Sequence, residues 1–308
     1  MQVYRSVNEF PKLAKATVTS GTFDGVHLGH KKILKTLIDT AKASNSESVV
    51  ITFWPHPRMV LQPDQNTKLL ASLEEKIELI ANEGPDHLII IPFTRDFSNQ
   101  SSEEFIKEVL VKKIGTKHLI IGYDHRFGKN REGSFEYLKN YSKDFGFSVI
   151  EIPREDIDHI GISSTLIRNS LRCGELEKAT TLLGKPYFIT GLVVHGEKIG
   201  RKLGFPTANI QLSETSKLLP QDGVYAVEVI WNNNTYQGMM NIGFRPTVEG
   251  SIHIMEVHLF DFTEDLYGEQ LRVNFIKYIR SEKKFSSLDE LKNQLSIDKQ
   301  IVEEVLNS

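Results

Sequence analysis

Residues 16–44, "ATVTSGTFDGVHLGHKKILKTLIDTAKAS", pass from a β-branched apolar run through a glycine-rich turn into an amphipathic helical pattern. That order decides the fold of the first half, because it recurs. "ESVVITFW" (47–54), "DHLIIIPF" (86–93), "KHLIIGYD" (117–124) and "FSVIEIP" (147–153) read as further buried strands. Between them lie the helical patterns "SLEEKIELIANEG", "SSEEFIKEVLVKKIG" and "SFEYLKNYSKDFG". Ser101 and Glu104 stand at capping-box spacing. Strand–helix alternation predicts a Rossmann-like, mostly parallel sheet with helices on both faces. Such sheets bind ligands beyond the carboxyl ends of their strands. The polar clusters "GTFDGVHLGH" (21–30), "WPHPR" (54–58) and "YDHRFG" (123–128) fall there.

The rhythm changes after "SSTLIRNSLRCGELEKATTLLG" (163–184). "YFITGLVVHG", "GVYAVEVIW", "TYQGMMNIG", "SIHIMEVHLFDF" and "QLRVNFIKYIR" follow one another with little helix between them, and Asn232–Asn234 suits a hairpin turn. A helical tail opens at Ser287 and Glu290, again at capping-box spacing, and carries Leu288, Leu291 and Leu295. The expected architecture is therefore α/β plus β: an N-terminal domain over 1–183, and a small antiparallel β-barrel with a terminal helix over 184–308.

The totals bound the function. A chain of 308 residues accommodates two ordinary domains. Its net charge of −3 argues against a broad nucleic-acid surface. The single cysteine, Cys173, excludes an intrachain disulfide and suits a reducing compartment. No run approaches the ~18 apolar residues of a membrane span, and the N-terminus lacks signal-peptide character. These features predict a cytoplasmic enzyme without membrane or nucleic-acid partners. Homo-oligomerisation is left open.

His27 and His30 flank Gly29 where strand gives way to helix. Zinc would need a fuller ligand set and HExxH is absent; a hydrolase nucleophile would need a GxSxG elbow, also absent. Phosphate fits better. A glycine-rich turn entering a helix directs free N–H groups and the positive dipole end at one point, and imidazoles there can donate to phosphate oxygens. A glycine turn with two solvated histidines stays open as the bland alternative. "ISSTLIR" (162–168) offers a second helix start, with Ser164 and Arg168 four apart on one face. By itself it also reads as an N-cap serine with a surface arginine.

In the second half, "GEKIGRKLGFPTANI" (196–210) spaces Gly196, Gly200 and Gly204 four apart. It is no Walker A loop, but its backbone can wrap phosphates, as it can form a plain surface loop. Thr207 and Asn209 supply oxygen ligands suited to Mg²⁺. In "HIMEVHLF" the alternation sets Met255, Val257 and Leu259 on one face and Glu256 and His258 on the other. A mid-strand carboxylate could act as a general base or merely be solvated.

Together, "GTFDGVHLGH", "TFWPHPR", "GYDHRFG" and "ISSTLIR" resemble the adenylyltransferase module of bifunctional riboflavin kinase/FAD synthetases. "GKPYFITGLVVHG", "GRKLGFPTANI", "DGVYAV", "MMNIGFRPTVEG", "MEVHLFDFTEDLYGEQLRVNFI" and "RSEKKF" resemble its riboflavin kinase module. The resemblance covers essentially the whole chain. It implies phosphorylation of riboflavin to FMN by ATP, then transfer of AMP from a second ATP to FMN, with Mg²⁺ serving both steps. His27 and His30 would hold ATP phosphates, with Gly21, Phe23, Asp24, Gly29, Ser164, Thr165 and Arg168 around the nucleotide. Asp124, Phe127 and Arg280 would contact flavin. In the kinase module Glu256 would be the catalytic base, Thr207 and Asn209 the Mg²⁺ and ATP contacts, and Gly196, Gly200 and Gly204 the nucleotide loop. The chain departs from the family pattern at Trp54, where an acidic residue is common, and at Asp124, where asparagine is common. Lys185 and Phe244 are smaller departures. A single-activity nucleotidyltransferase with a flavin-binding barrel is the alternative, and a flavin-sensing or nucleic-acid-binding protein on a reused barrel is a second.

Overall fold

The computed structural model describes all residues except 124–126, 129–132, 134, 154–160, 197–198, 248–249 and 308. The chain divides into two compact units, Met1–Ser164 and Thr165–Ser308.

In the first unit β1 (Gln2–Tyr4), β2 (Ala16–Ser20), β3 (Glu47–Trp54), β4 (His87–Pro92), β5 (Thr116–Gly122) and β6 (Ser148–Ile152) form one sheet in the order β1-β4-β3-β2-β5-β6. Every pairing is parallel. All five residues of β2 are buried, as are Val49, Val50 and Ile51 of β3; burial on both faces is what continuous β-branched runs require. The edge strand β1 was not expected. Three residues in "MQVYRS" carry too little periodicity to announce a strand. The expected helices are present, including Leu28–Ala43 and Leu73–Ala81. The predicted Ser101–Glu104 capping box forms, and its short helical turn runs into a π-helix, Phe105–Ile114. From β2 the chain builds outward through β3 and β4, then returns to β2's other side with β5. The crevice beyond the carboxyl ends of β2 and β5 is therefore a topological switch point.

The second unit closes six antiparallel strands into a barrel: β7 (Tyr187–Val194), β8 (Ala208–Leu212), β9 (Gly223–Trp231), β10 (Asn234–Thr247), β11 (Gly250–Leu259) and β12 (Gln270–Arg280), in the order β10-β11-β8-β7-β12-β9. β9 and β10 pair at Trp231 and Asn234 across a two-residue turn. Asn232 and Asn233 both have positive φ (48° and 64°), the geometry whose twist matches the flanking strands. β8, which begins within "PTANI" and runs on to Leu212, is the strand that the sequence pattern did not announce. The terminal helix, Leu288–Leu306, lays Leu291, Leu295, Val302 and Val305 against Phe205, Met239 and Phe260. Leu288 stays exposed. Ser287 caps the helix through the Glu290 N–H, but Glu290 reaches back to the N–H and hydroxyl of Ser286, one residue further than the expected box.

Candidate active sites

The loop leaving β2 turns sharply. Phe23, Gly25 and Val26 all have positive φ (47°, 78° and 43°), three of four consecutive residues in a region that side chains other than glycine avoid. Several contacts hold it there. Phe23 is 1% exposed, and its ring packs so closely beside Gly21 that a Cβ there would lie 3.1 Å from it. The Asp24 carboxylate, also 1% exposed, accepts the Leu70 N–H at 3.0 Å and the Ala71 N–H at 3.1 Å. The Asp24 carbonyl accepts the Ser164 hydroxyl at 3.2 Å. Two stretches 140 residues apart in sequence are thus tied together by a main-chain acceptor.

His27 is the N-cap of helix Leu28–Ala43. Its Nδ1 accepts the His30 N–H at 3.3 Å, so the proton of a neutral His27 ring sits on Nε2. The two imidazoles stack 3.6 Å apart at 14°, and Phe23 meets His30 edge-on at 5.2 Å. Burial, then the positive charges of His27 and Lys76, hold His30 well below the ordinary imidazole range. It is therefore neutral at pH 7 and available as a donor. Gly29 is buried in the first helical turn. In "ISSTLIR", Ser164 opens helix Ser164–Arg172, Thr165 is exposed and Arg168 is buried. In "WPHPR", His56 caps the short helix Pro57–Leu61 by accepting the Arg58 N–H at 3.1 Å.

Lys76, which the sequence reading did not single out, is 1% exposed on the inward stripe of helix Leu73–Ala81 with Leu73 and Ile80. Its Nζ lies 5.1 Å from the centre of the Trp54 ring. Burial lowers its pKa to about 8, while Asp24 pulls the other way. A lysine within "SLEEKIELI" carries no local signal of burial, since its neighbours at helical spacing decide that.

Of the expected flavin contacts, Phe127 bridges to Gly133 and tilts against Phe105 at 5.8 Å. Asp124 lies outside the described residues. Arg280 forks onto Asp298 of the terminal helix, with its Nη2 2.6 Å from Oδ2 and its Nε 2.9 Å from Oδ1.

In the barrel, strand pairing brings the expected kinase residues together. Glu256 on β11 is half-buried, and stands opposite Asn209 on β8 and Asn241 on β10. Asn241 was not expected, because only the β10–β11 register reveals that it flanks the carboxylate. Pro206 is anchored through its carbonyl, which accepts Nδ1–H of His258 at 2.7 Å; burial lowers the pKa of that imidazole. Of the expected apolar face Val257 and Leu259 are buried and Met255 half-buried, but His258 on the opposite face is buried too, against Phe205 and Phe260. Gly204 has a φ of 86° and ends the short helix Ile199–Leu203, while the Phe205 N–H returns to the Gly200 carbonyl at 2.9 Å. A Cβ on Gly200 would strike that Phe205 carbonyl and lie 3.4 Å from Thr207 Oγ1; one on Gly196 would strike the Asn209 amide. A bare Gly196 therefore keeps the Asn209 amide clear in a cradle beside Glu256, and a bare Gly200 leaves room for the Phe205 carbonyl. Of this loop, residues 197–198 lie outside the description.

The sequence matches the FAD synthetase family over residues 10–166 and the riboflavin kinase family over residues 183–306. It is 41% identical to the bifunctional riboflavin kinase/FMN adenylyltransferase of Buchnera aphidicola subsp. Schizaphis graminum, covering 100% of this chain and 99% of that one. The protein of the same name from Escherichia coli K12 is 38% identical, over 97% and 96% of the two chains. Among solved structures, one from Streptococcus pneumoniae described as a macrolide-efflux protein superposes with a TM-score of 0.88 at 32% identity, over 98% of both chains. Among the described residues no helix is long and apolar enough to cross a membrane. With both halves matched in order and the relatives aligned along their full lengths, the chain belongs to the bifunctional riboflavin kinase/FMN adenylyltransferase family.

Proposed function

We infer that this chain makes FAD in two steps from riboflavin, with residues 184–308 phosphorylating it to FMN and residues 1–183 adenylylating FMN. The observation that carries the reading is the pairing of Glu256 with Asn209 and Asn241 across three barrel strands, with the Asn209 amide kept clear by the bare Gly196. In the kinase step the Glu256 carboxylate accepts the proton of the ribityl 5′-hydroxyl as that oxygen attacks the γ-phosphorus of ATP. The bond to the ADP oxygen breaks, and ADP leaves with its electron pair. Thr207 and Asn209 offer neutral oxygens, the hard donors Mg²⁺ prefers when most of its shell is phosphate and water, and the cradle that a Cβ would fill suits such an ion. The ion would supply charge neutralisation across the phosphates.

In the second step a phosphate oxygen of FMN attacks the α-phosphorus of ATP and pyrophosphate departs. Neutral His30, with His27 beside it, donates to phosphate oxygens at the helix N-terminus, where the dipole already favours an anion. Ser164, Thr165 and Arg168 complete the nucleotide contacts, and Asp24 and Phe23 shape the loop that presents the histidines. Phe127 and Asp124 are the flavin contacts of this step, and Arg280 is the flavin contact of the barrel unit. Neither step needs a covalent enzyme intermediate, so catalysis is positioning and charge stabilisation. The reading places the enzyme in the cytoplasm, acting on small molecules and not on nucleic acid.

A chromatographic time course with riboflavin, ATP and Mg²⁺ tests this. FMN should rise first and give way to FAD. FMN alone would remove the adenylyltransferase half of the reading; FAD made only from added FMN would remove the kinase half and leave a single-activity nucleotidyltransferase.

A further inference from the structure

Two buried polar atoms near the β2 loop have no hydrogen-bond partner among the described residues: Lys76 Nζ and His30 Nδ1. They share one neighbourhood, since Asp24 in the loop ahead of His30 binds the N–H groups of Leu70 and Ala71, just before the helix that carries Lys76. Leaving an ammonium buried without a hydrogen bond is costly, and native proteins retain such a group only where something offsets it. The partial offset visible here is the face of Trp54, 5.1 Å from Nζ, a cation–π contact of the order of 1 kcal/mol. Asp24 is the nearby opposite charge, but its oxygens are engaged by the N–H groups of Leu70 and Ala71 and none bonds to Nζ. The ammonium can only donate, and Nδ1 of a neutral His30 donates in one tautomer. What completes such a pair is an anion with several acceptor oxygens.

We propose that Lys76 is a phosphate-contacting residue of the adenylyl-transfer site, binding with His30 the anionic oxygens of the ATP polyphosphate. This rests on the FAD-forming reading above and deepens it. As the FMN phosphate oxygen bonds to the α-phosphorus, the bond to the β-phosphate bridging oxygen breaks and its electron pair leaves with pyrophosphate. The Lys76 ammonium meets that growing charge without giving up a proton. Trp54 holds the ammonium by its ring face and leaves its donors for the substrate. A carboxylate in that position would instead compete with phosphate for them.

The test uses the full-length protein with Lys76→Met and Lys76→Gln, assaying FMN adenylylation, riboflavin phosphorylation and thermal unfolding, with inorganic pyrophosphate as the binding probe. Both variants should lose about a hundredfold or more in kcat/KM for ATP in FAD formation. Riboflavin phosphorylation should stay within twofold, and the melting temperature should not fall, because each change removes a buried charge. Pyrophosphate should quench or shift Trp54 emission in a Trp231→Phe background, and fail to do so once Lys76 is replaced. The proposal is overturned if either folded variant forms FAD at the wild-type rate. It is equally overturned if both variants lose both activities together with the fold, which would make Lys76 a structural strut. Wild-type protein that forms no FAD from FMN would instead overturn the functional reading beneath it.

Discussion

Two buried charges, one in each unit, are held in opposite ways. In the barrel unit Asp298 is 0% exposed, yet it receives the fork of Arg280 and an amide N–H from Gln294 at 3.0 Å. In the sheet unit Lys76 is 1% exposed and donates to no acceptor among the described residues. A buried ion with its partner fixes an element in place, here the terminal helix on the barrel. A buried ion without one marks a place where the fold has kept binding capacity in reserve. The same contrast separates the candidate sites: the barrel sets its carboxylate by strand pairing, while the sheet unit presents donors at a turn and a helix start.

The sharpest way to break this comparison is Glu256→Gln. If strand pairing holds the kinase base in the barrel alone, FMN formation should fall by about a thousandfold, within the range for loss of a general base. FAD synthesis from added FMN should continue at the wild-type rate, measured by chromatography of both flavins. Loss of both activities in a folded variant would end the claim of separate sites. His30→Ala is the converse, with a smaller expected effect because one of several phosphate donors is removed: about a hundredfold in FAD formation, with phosphorylation of riboflavin retained. An unchanged rate of FAD formation would take the HxGH histidines out of the chemistry.

The difference in construction also explains what could be read from the sequence. The HxGH loop is local. Gly21 through His30 lie in ten residues at a strand–helix junction, so their meeting needed no knowledge of tertiary contacts. Glu256 and Asn209 were legible by type and alternation, but their placement opposite each other depends on a pairing between strands 47 positions apart, and Asn241 was invisible without it. β8 escaped notice because "PTANI" is short and starts beside a proline, and β1 because three edge residues leave no period. Lys76 escaped for a different reason. Its spacing from Leu73 and Ile80 puts it on the apolar stripe, but a lysine there can carry its ammonium out to water, and only the packing beside Trp54 shows that it stays buried.

A gentler change sharpens the barrel side. Gly196→Ala introduces a Cβ that would strike the Asn209 amide. The amide must turn aside, which should weaken ATP handling in the kinase step by roughly tenfold through misplacement alone. Its mark is a raised KM for ATP in riboflavin phosphorylation with FAD formation from FMN untouched. An unaltered KM would show that the Asn209 amide is not where the nucleotide needs it.

The smallest effect is on stability, and its sign follows from burial. Lys76 has a folded pKa of about 8 against 10.5 in the unfolded chain. Between those values the unfolded state binds more protons, so this residue's contribution makes stability rise with pH; below about pH 8 its full cost of about 3 kcal/mol is present. Lys76→Met should therefore melt above wild type at pH 7, and the gap should narrow as pH climbs from 8 towards 10. Tyr225, whose pKa burial raises, adds an opposing slope only above its ordinary value near 10, and it adds it to both proteins alike. His30 works on the acid side. Its folded pKa lies well below 6.5, so its contribution to stability falls as pH drops through that value, and His30→Ala should flatten the acid limb. In the barrel, by contrast, Asp298 is engaged by both Arg280 and Gln294. Melting followed by Trp54 emission and by Trp231 emission in single-tryptophan variants separates the units. If Lys76→Met leaves the alkaline dependence of the Trp54 transition as steep as in wild type, the lysine is not the titrating group, and the contrast between a satisfied and an unsatisfied buried charge loses its thermodynamic support.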